Sequence, residues 1–280
     1  MADDVSEDQI DELARMVQRA ARIVAFTGAG ISTESGIPDF RSPGGFWTRF
    51  KPIEFADYLA SEERRMEAWR RYFIIRDTFG DAKPGRGHQA IARLALMGKL
   101  THVITQNIDD LHRASGLATE CIIELHGNGT YAKCLTCDIR YELEWVRSQI
   151  ADVGKPPSCT SCGGLIKAAT VSFGQPMPQE AMARARAAAL DTDLFLAIGS
   201  SLQVAPAMGF PVLAKNGGAR LVILNRDPTA LDDFADLVIN GDIGAVMSAV
   251  IARLARENES VVRNQPSPAG QSVSSGWSKA

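Results

Sequence analysis

Four cysteines fall into two Cys-x-x-Cys pairs, a spacing that suits metal binding. CLTC holds Cys134 and Cys137, CTSC holds Cys159 and Cys162, and 21 residues separate the two pairs. Each pair directs two thiolates at one point, and two pairs complete a tetrahedron of the kind found in zinc ribbons. Because all four ligands are sulfur, no position is left for water. We therefore predict one structural zinc ion; four unligated thiols are the less economical alternative.

The stretch VAFTGAGISTESGIPDFR begins like a dinucleotide-binding turn. Gly28 and Gly30 follow a short apolar run, and small residues there let backbone N–H groups approach a phosphate. Thr33 occupies the place of the third small residue, so we expect the chain to run on into a loop instead of turning directly into a helix. The segment Asp39–Arg41 sets an aromatic residue between two charges, which suits a flap that closes over a ligand. A tight strand-to-helix turn is the alternative.

Polar residues follow four further apolar runs of the chain. They are Gln106, Asn107 and Asp109; His126; Gly199, Ser200 and Ser201; and Asn225, Arg226 and Asp227. Amides and carboxylates suit ribose hydroxyls or a carboxamide, and small hydroxyl residues suit phosphate. A large nucleotide bound across several strand ends is the economical interpretation. Alternatively, Asn107 caps the following helix and Asp109 lies in its first turn.

His126 is the candidate general base among four histidines. It ends a buried apolar run, opens the segment that contains the cysteine pairs, and carries an imidazole that titrates near neutral pH. We interpret His88, His102 and His112 as structural.

The hydrophobic pattern predicts a sheet that brings these residues to one edge. Apolar runs rich in β-branched residues alternate with helical patterns. The predicted strands are 22–27, 102–105, 121–125, 169–173, 194–198, 221–224 and 237–239, and the clearest helices are 7–20, 88–97, 179–190, 206–216 and 243–256. Such alternation predicts a doubly wound parallel α/β sheet whose ligands bind at the carboxyl ends of its strands.

Two insertions interrupt the predicted sheet domain. Residues 36–85 are rich in aromatic residues and predict a flap followed by a helical module, whereas residues 128–168 hold the zinc ribbon. Residues 259–280 are rich in Ser, Pro and Gly, so we expect a disordered tail. The sheet domain then comprises 1–35, 86–127 and 169–258.

Charge and hydropathy limit the partners and the location. The 280 residues carry a formal net charge of -3, and the chain has no blocks of lysine or arginine. This gives no electrostatic reason to expect direct nucleic-acid binding or an anionic membrane partner. The acidic N-terminus lacks the apolar core of a signal peptide, and no run of about 18 apolar residues would span a bilayer. We expect a cytoplasmic protein.

The motifs together resemble one family. GAGISTESGIPDFR, TQNID, His126-Gly127, the two cysteine pairs and GSSLQVAPA resemble, in order and spacing, the sirtuins, which are NAD-dependent protein deacylases. The resemblance covers roughly residues 15–255. It implies an inverted Rossmann domain, a small domain made of the helical and zinc modules, and a site between them where NAD meets an acyl-lysine protein substrate.

The resemblance also implies roles for individual residues. NAD contacts are implied for Gly28, Ala29, Gly30, Asp39, Phe40, Arg41, Trp47, Gln106, Asn107, Ile108, Asp109, Gly199, Ser200, Ser201, Asn225, Arg226, Asp227 and Ile243. Within that set, Asn107 and Asp109 shape the nicotinamide pocket and are counted as catalytic with His126. Contacts with the acylated substrate are implied for Tyr72, Val171, Phe173 and Gly174.

The implied reaction consumes NAD as a substrate. Nicotinamide leaves ribose C1′, the acyl oxygen attacks that carbon, and His126 draws a proton from a ribose hydroxyl that then takes the acyl group. Mono-ADP-ribosyl transfer to protein is the alternative in the same pocket, although it has less need of His126. A non-catalytic NAD-sensing module is disfavoured because Asn107, Asp109 and His126 are all present.

Two departures from the family pattern concern the substrate. The family's Phe-Gly-Glu is Phe173-Gly174-Gln175 here. Members that remove succinyl or malonyl groups carry Tyr-x-x-Arg, whereas here Ile75 occupies the arginine place after Tyr72 and Arg76 follows it. One residue turns a helical side chain by about 100°, so we expect Arg76 to point elsewhere. Acetyl or another neutral acyl group is therefore favoured.

Overall fold

The structure is a computed structural model of the protein and describes residues 5–39, 45 and 51–263. The helices are α1 Glu7–Arg19, α2 Phe55–Ala60, α3 Glu62–Phe79, α4 Arg86–Leu96, α5 Leu111–Ala114, α6 Leu143–Val153, α7 Gln179–Leu190, α8 Gly209–Asn216 and α9 Ile243–Arg263. The strands are β1 Ile23–Thr27, β2 Leu100–Thr105, β3 Ile122–Glu124, β4 Gly127–Cys134, β5 Arg140–Tyr141, β6 Ile166–Thr170, β7 Leu194–Ile198, β8 Arg220–Leu224 and β9 Leu237–Ile239.

A six-stranded parallel sheet forms the larger part of the described chain. Its strand order is β3-β2-β1-β7-β8-β9, and every neighbouring pair is parallel. Leaving aside the three strands of the second sheet, this is the 3-2-1-4-5-6 order of dinucleotide-binding folds. All five residues of β1 and of β7 are buried, as expected for strands covered on both faces. The predicted doubly wound sheet is confirmed.

Helices cover both faces of this sheet. On one face α1, α4 and α9 pack through residues such as Leu13, Ile91 and Val250. On the other face α7 and α8 cover Phe26 and Phe195, whose rings lie 6.0 Å apart. Fully burying one such side chain contributes roughly 1.5–3 kcal/mol. The rigid framework that results fixes the positions of the strand ends.

A second, smaller unit combines the predicted helical and zinc modules. Its antiparallel sheet has the order β5-β4-β6. Trp69 of α3 is buried in one cluster with Ala132 of β4, Ile166 of β6 and Val146 of α6. The buried hydroxyl of Tyr58, in α2, donates to the Ile166 carbonyl at 2.7 Å. The two insertions therefore pack into a single body.

The structure differs from the sequence expectations at three places. The predicted strand 169–173 is shifted to β6, which pairs antiparallel with β4 instead of joining the parallel sheet. A 3-10 helix, Ala29–Ser35, follows Gly28 directly, so the chain does turn into a helix there. Helix α9 continues to Arg263, into the segment expected to be disordered. Among the described residues, no helix is both long and apolar enough to cross a membrane.

Candidate active site

The loops after β1 and β7 meet at the centre of the parallel sheet, where the strand order reverses. Gly28 N–H donates to the Ile198 carbonyl at 3.1 Å, and Gly30 N–H donates to the Gly199 carbonyl at 2.8 Å. A Cβ on Gly28 or on Gly30 would lie 2.7 Å from a Gly199 backbone atom. Glycine is therefore required at both positions because the loop after β7 packs directly against the loop after β1. This requirement is separate from the space that a phosphate would need.

A cavity of about 400 Å³ opens at these strand ends, and we call it the strand-end cavity. It lies at the edge where doubly wound sheets bind nucleotides. Of the residues singled out from the sequence, it is lined by Gly28, Ala29, Gly30, Asp39, Gln106, Asn107, Ile108, His126, Val171, Phe173, Gly174, Gly199, Ser200, Ser201, Asn225 and Asp227. Residues far apart in the chain thus converge on one space.

A second cavity, of about 340 Å³, lies between the sheet edge and helix α3, and we call it the α3 cavity. Of the candidate site residues, Ala29, Tyr72, Asn107, Ile108 and Asp109 line it, and it shares Ala29, Asn107, Ile108 and Ser172 with the strand-end cavity. Most of its other lining side chains are apolar. They include Ile37, Pro38, Pro52, Ile53, Ala68, Ile75 and Phe79.

Two of the described candidate NAD contacts line neither cavity, and three more candidates cannot be placed. Arg226 is exposed, and Ile243 packs against the main core where α9 begins. The other three, Phe40, Arg41 and Trp47, lie outside the described residues.

Arg76 does not turn away from the pocket as its helical offset predicts. Ile75 and Arg76 both line the α3 cavity, because this cavity extends along the helix as far as Phe79 and Gly80. The cavity therefore combines a mostly apolar wall with three cationic side chains, those of Lys51, Arg71 and Arg76.

The imidazole of His126 is held in a defined tautomer. Its Nδ1 lies 2.9 Å from the Gln106 carbonyl oxygen, which can only accept a hydrogen bond. Nδ1 therefore carries the proton, and Nε2 keeps the lone pair that a base needs. Burial lowers the pKa of His126, and the bond to the Gln106 carbonyl partly opposes this shift. The side chain is thus set up as a neutral base beside the strand-end cavity.

Asn107 and Asp109 belong to a network with Ser32. The Asn107 amide nitrogen donates to the Gly28 carbonyl at 3.1 Å and to Ser32 Oγ at 3.2 Å. Ser32 Oγ donates to Asp109 Oδ2 at 2.6 Å. Asn107 is therefore no helix cap, whereas Asp109 does accept from the Leu111 N–H at 3.0 Å, at the start of α5. Sequence reasoning missed Ser32, although it comes two residues after Gly30 and carries a small hydroxyl.

The amide of Gln106 and the hydroxyl of Ser200 bridge two strand ends. Gln106 Nε2 donates to Ser200 Oγ at 2.9 Å, and the Leu202 N–H donates to the same hydroxyl at 3.2 Å. Asn225, at the end of β8, donates to the Asp227 carbonyl at 2.7 Å. Polar groups from the ends of β2, β7 and β8 therefore surround one space, as a nucleotide with several polar moieties requires.

The segment after β6 is tied to the candidate base. Val171 N–H donates to the His126 carbonyl at 2.8 Å. Gly127 has φ +74°, and a Cβ there would lie 2.0 Å from the Ala169 carbonyl oxygen, so only glycine fits. β6 is an edge strand, the kind of strand to which an extended peptide can add, and in the turn that follows it the Ser172 and Phe173 carbonyls accept from the Gln175 and Phe55 N–H groups.

The tyrosine of the helical module contacts the same region. The Tyr72 hydroxyl donates to the Gly129 carbonyl, just after the His126-Gly127 pair. Burial raises the pKa of Tyr72 to about 12, so the phenol is neutral at working pH. Tyr72 therefore joins α3 to β4 at the wall of the α3 cavity.

The four paired cysteines converge. Their sulfur atoms all lie within 4.8 Å of one another, with 3.4 Å between Cys162 and Cys137 and 3.5 Å between Cys134 and Cys162. A tetrahedron with Zn–S bonds near 2.3 Å has S–S edges of about 3.8 Å. The four thiols therefore fit a single zinc ion.

Comparison with known proteins identifies the family. The family model described as Sir2 family matches residues 28–206, which include both glycine loops, the candidate base and all four cysteines. The chain belongs to the Sir2 family. This sirtuin is 57% identical over 242 residues to NAD-dependent protein deacetylase 1 of Bradyrhizobium diazoefficiens, covering 86% of the chain and 95% of that protein. It is 55% identical to NAD-dependent protein deacetylase of Rhodopseudomonas palustris, covering 86% and 96%.

Solved sirtuin structures have the same fold. A Sir2 complex with a p53 peptide and NAD+ superimposes with a TM-score of 0.79 at 33% identity, covering 88% of this chain and 99% of that one. A Sir2 protein bound to a propionylated peptide gives 0.79 at 32% identity, with the same two coverages. The predicted inverted Rossmann domain with a smaller, zinc-binding domain is thereby confirmed.

Proposed function

We propose that this sirtuin is an NAD-dependent protein-lysine deacetylase that transfers the acyl group to ADP-ribose and releases nicotinamide. The observation that carries the proposal is the tautomer of His126, a residue that lines the strand-end cavity together with Val171, Phe173 and Gly174. Relatives at 55% and 57% identity bear the name NAD-dependent protein deacetylase, and nothing in the comparisons favours mono-ADP-ribosyl transfer.

The residues of the two cavities have different proposed roles. Polar groups at the ends of β2, β7 and β8 bind the ribose and phosphate moieties of NAD, and Asn107 with Asp109 holds the nicotinamide carboxamide. Val171 to Gly174 pair with the backbone of the acylated protein, and Tyr72 lines the acyl side. After the acyl oxygen has attacked C1′, His126 Nε2 accepts a proton from a ribose hydroxyl, which takes up the acyl group.

The zinc ion is proposed to be structural. Four thiolates would fill its coordination shell, so it offers neither an open position nor a bound water for chemistry. Its contribution is to hold β4, β5 and β6 together, which keeps β6 and the residues after it in place beside His126.

The acyl group is proposed to be acetyl or another neutral group, because the α3 cavity is mostly apolar. Nicotinamide release with acetylated and succinylated peptides tests this: faster release with succinyl would reverse the assignment and point to Arg76. The protein substrates, a cytoplasmic location and the domain limits at residues 35, 85, 127 and 168 remain proposals drawn from the sequence.

The decisive experiment replaces the base. We expect His126→Ala to lower deacetylation by orders of magnitude while ADP-ribose still binds, because the imidazole moves a proton and makes no contribution to binding phosphate. His102→Ala is the matched control, since His102 lies outside both cavities.

Labelled NAD separates the alternatives in the same assay. Label recovered in acetyl-ADP-ribose supports deacetylation, whereas label retained on the protein substrate supports ADP-ribosyl transfer. Unchanged deacetylation by the His126→Ala variant would refute the assigned base.

A further inference from the structure

Two buried histidines lie behind the candidate active site. His88 of α4 and His112 of α5 stack edge to face, with ring centroids 5.0 Å apart, and neither lines the strand-end cavity or the α3 cavity. Both side chains are fully enclosed, with exposures of 0% and 3%. The pair is therefore not in a position to touch substrate.

A chain of hydrogen bonds runs from His112 to the backbone of Asn107. His112 Nε2 lies 2.8 Å from Thr27 Oγ1, and Thr27 Oγ1 donates to Thr105 Oγ1 at 2.9 Å. Thr105 Oγ1 in turn accepts from the Asn107 N–H at 3.0 Å. All four residues are buried, so water does not compete for these groups. We call this chain the threonine relay.

The direction of the relay fixes the state of His112. A hydroxyl has one proton, and with Thr27 donating it to Thr105 the bond to the imidazole comes from His112 Nε2–H. His112 Nδ1 is then the unprotonated nitrogen, and it has no hydrogen-bond partner in the described part of the chain. Burial, followed by the neighbouring His88, lowers the pKa of His112 to about 3. The ring stays neutral throughout the working pH range.

The relay holds only one part of Asn107. It fixes the peptide N–H, while Gly28 and Ser32 hold the nitrogen of the side-chain amide. Together these bonds fix the residue from two sides and leave its amide oxygen as the acceptor that remains among the described contacts. An acceptor held rigidly before the ligand arrives costs no reorganisation during the reaction.

We propose that Thr27 and His112 are positioning residues for nicotinamide release, acting through Thr105 on Asn107. The proposal rests on the role assigned above to Asn107. It concerns the hydroxyl of Thr27 in β1, which is hydrogen-bonded to Thr105 of β2 and to His112 of α5. A purely packing role for Thr27 would depend on its methyl group instead.

Two substitutions of Thr27 separate these roles. Thr27→Val keeps the shape and removes the hydroxyl, whereas Thr27→Ser keeps the hydroxyl and leaves a small gap in the core. We expect Thr27→Val to lower kcat for nicotinamide release about tenfold, the rate equivalent of one hydrogen bond. The KM for the acetylated peptide should be unchanged. Thr27→Ser should retain most of the rate, although it is the less well packed variant.

The outcomes are distinct. Equal rates for the Val and Ser variants, or rates that follow only their melting temperatures, would overturn the proposal. A shift in the acid limb of the pH–rate profile of Thr27→Val would also overturn it, because His112 is neutral and does not titrate in the assayed range.

Asn107→Ala is measured beside them to separate this proposal from the assigned function. If Asn107→Ala releases nicotinamide at the normal rate, the role of Asn107 itself fails. If Asn107→Ala is inactive while Thr27→Val is fully active, only the relay fails.

Discussion

At the scale of single residues, His126 illustrates how a main-chain atom selects a chemical role. The Gln106 carbonyl accepts a hydrogen bond from Nδ1–H, and burial favours the neutral ring, so the base needs no carboxylate partner. Gln106 itself bonds to Ser200 through its side chain. One residue therefore supports the base with its backbone and a ligand-binding loop with its amide.

The lowered pKa of His126 predicts a shifted pH profile. Its neutral form is the active base and persists below the ordinary histidine pKa of about 6.5. The acid limb of kcat/KM, which reports the free enzyme, should thus lie below pH 6.5. Steady-state assays from about pH 5 to 9 check this, and the limb should be absent from any residual activity of His126→Ala. An acid limb clearly above 6.5 would contradict it.

The sequence reveals some of the site residues and conceals others. Glycines, cysteine pairs and a histidine after a strand have distinctive types and spacing, and they were found. Ser32, Thr27 and Thr105 are ordinary residues, and their partners lie far along the chain: Ser32 and Asp109 are 77 positions apart. Such bonds depend on strand order, which residue types alone do not encode.

At the scale of elements, β6 shows where pattern reading stops. A short apolar run predicts a strand correctly, but the run near 169–173 does not specify its sheet or direction. Pairing of Gly127 with Thr170 draws this strand into the antiparallel sheet. The contact joins residues 43 positions apart and requires glycine at 127. Gly127 stands out in the sequence as part of a motif, but nothing in the sequence indicates its partner.

Strand β6 also carries a buried cation. Lys167 is 4% exposed, and its Nζ donates to the Thr170 carbonyl at 2.5 Å. No carboxylate pairs with it within the described residues. Burial, then the charge of Lys133, lowers the pKa of Lys167 to about 8. The lysine thus braces the strand end that leads to the substrate segment, at a cost in desolvation.

This lysine predicts a pH-dependent contribution to stability. Between about pH 8 and the unfolded value near 10.4, the unfolded chain binds more protons at this site, so the contribution to the free energy of unfolding rises with pH. Lys167→Met removes that rise, so the free energy of unfolding of wild type should increase relative to that of the variant as pH increases. Denaturant unfolding at several pH values checks it. Lys155→Met, at an exposed lysine of the same unit, should show no such trend; a constant difference for Lys167→Met would contradict the assignment.

At the scale of the whole molecule, the protein has two bodies of very different size. The parallel sheet has two extensive cores, whereas the small unit has one modest cluster that includes Cys134 and Cys159 themselves. The sequence predicts both bodies and the zinc site. It does not predict that Trp69 of the helical module buries itself against the zinc-bearing sheet, because that docking is a tertiary contact.

Loss of zinc should therefore disable the small unit and spare the large one. We expect Cys134→Ala to release the metal, unfold the antiparallel sheet and abolish deacetylation, while the parallel sheet still binds ADP-ribose. Metal analysis, circular dichroism and calorimetric titration measure these three effects. Cys121→Ala, at the cysteine outside the cluster, is the control. A zinc-free Cys134→Ala variant with full activity would show the ion to be dispensable.

The junction at His126 and Gly127 also constrains how sirtuin modules recombine. The His126 carbonyl accepts a hydrogen bond from the Val171 N–H, and only glycine fits at position 127, beside the Ala169 carbonyl. A chimera with crossovers directly after Gly127 and after Val171 would split both contacts between parents. Workable crossover points lie farther along β4 and β6, within the ladder. The segment that can be exchanged without splitting these contacts is therefore residues 128–168 or a part of them, because the residues on either side pair with one another.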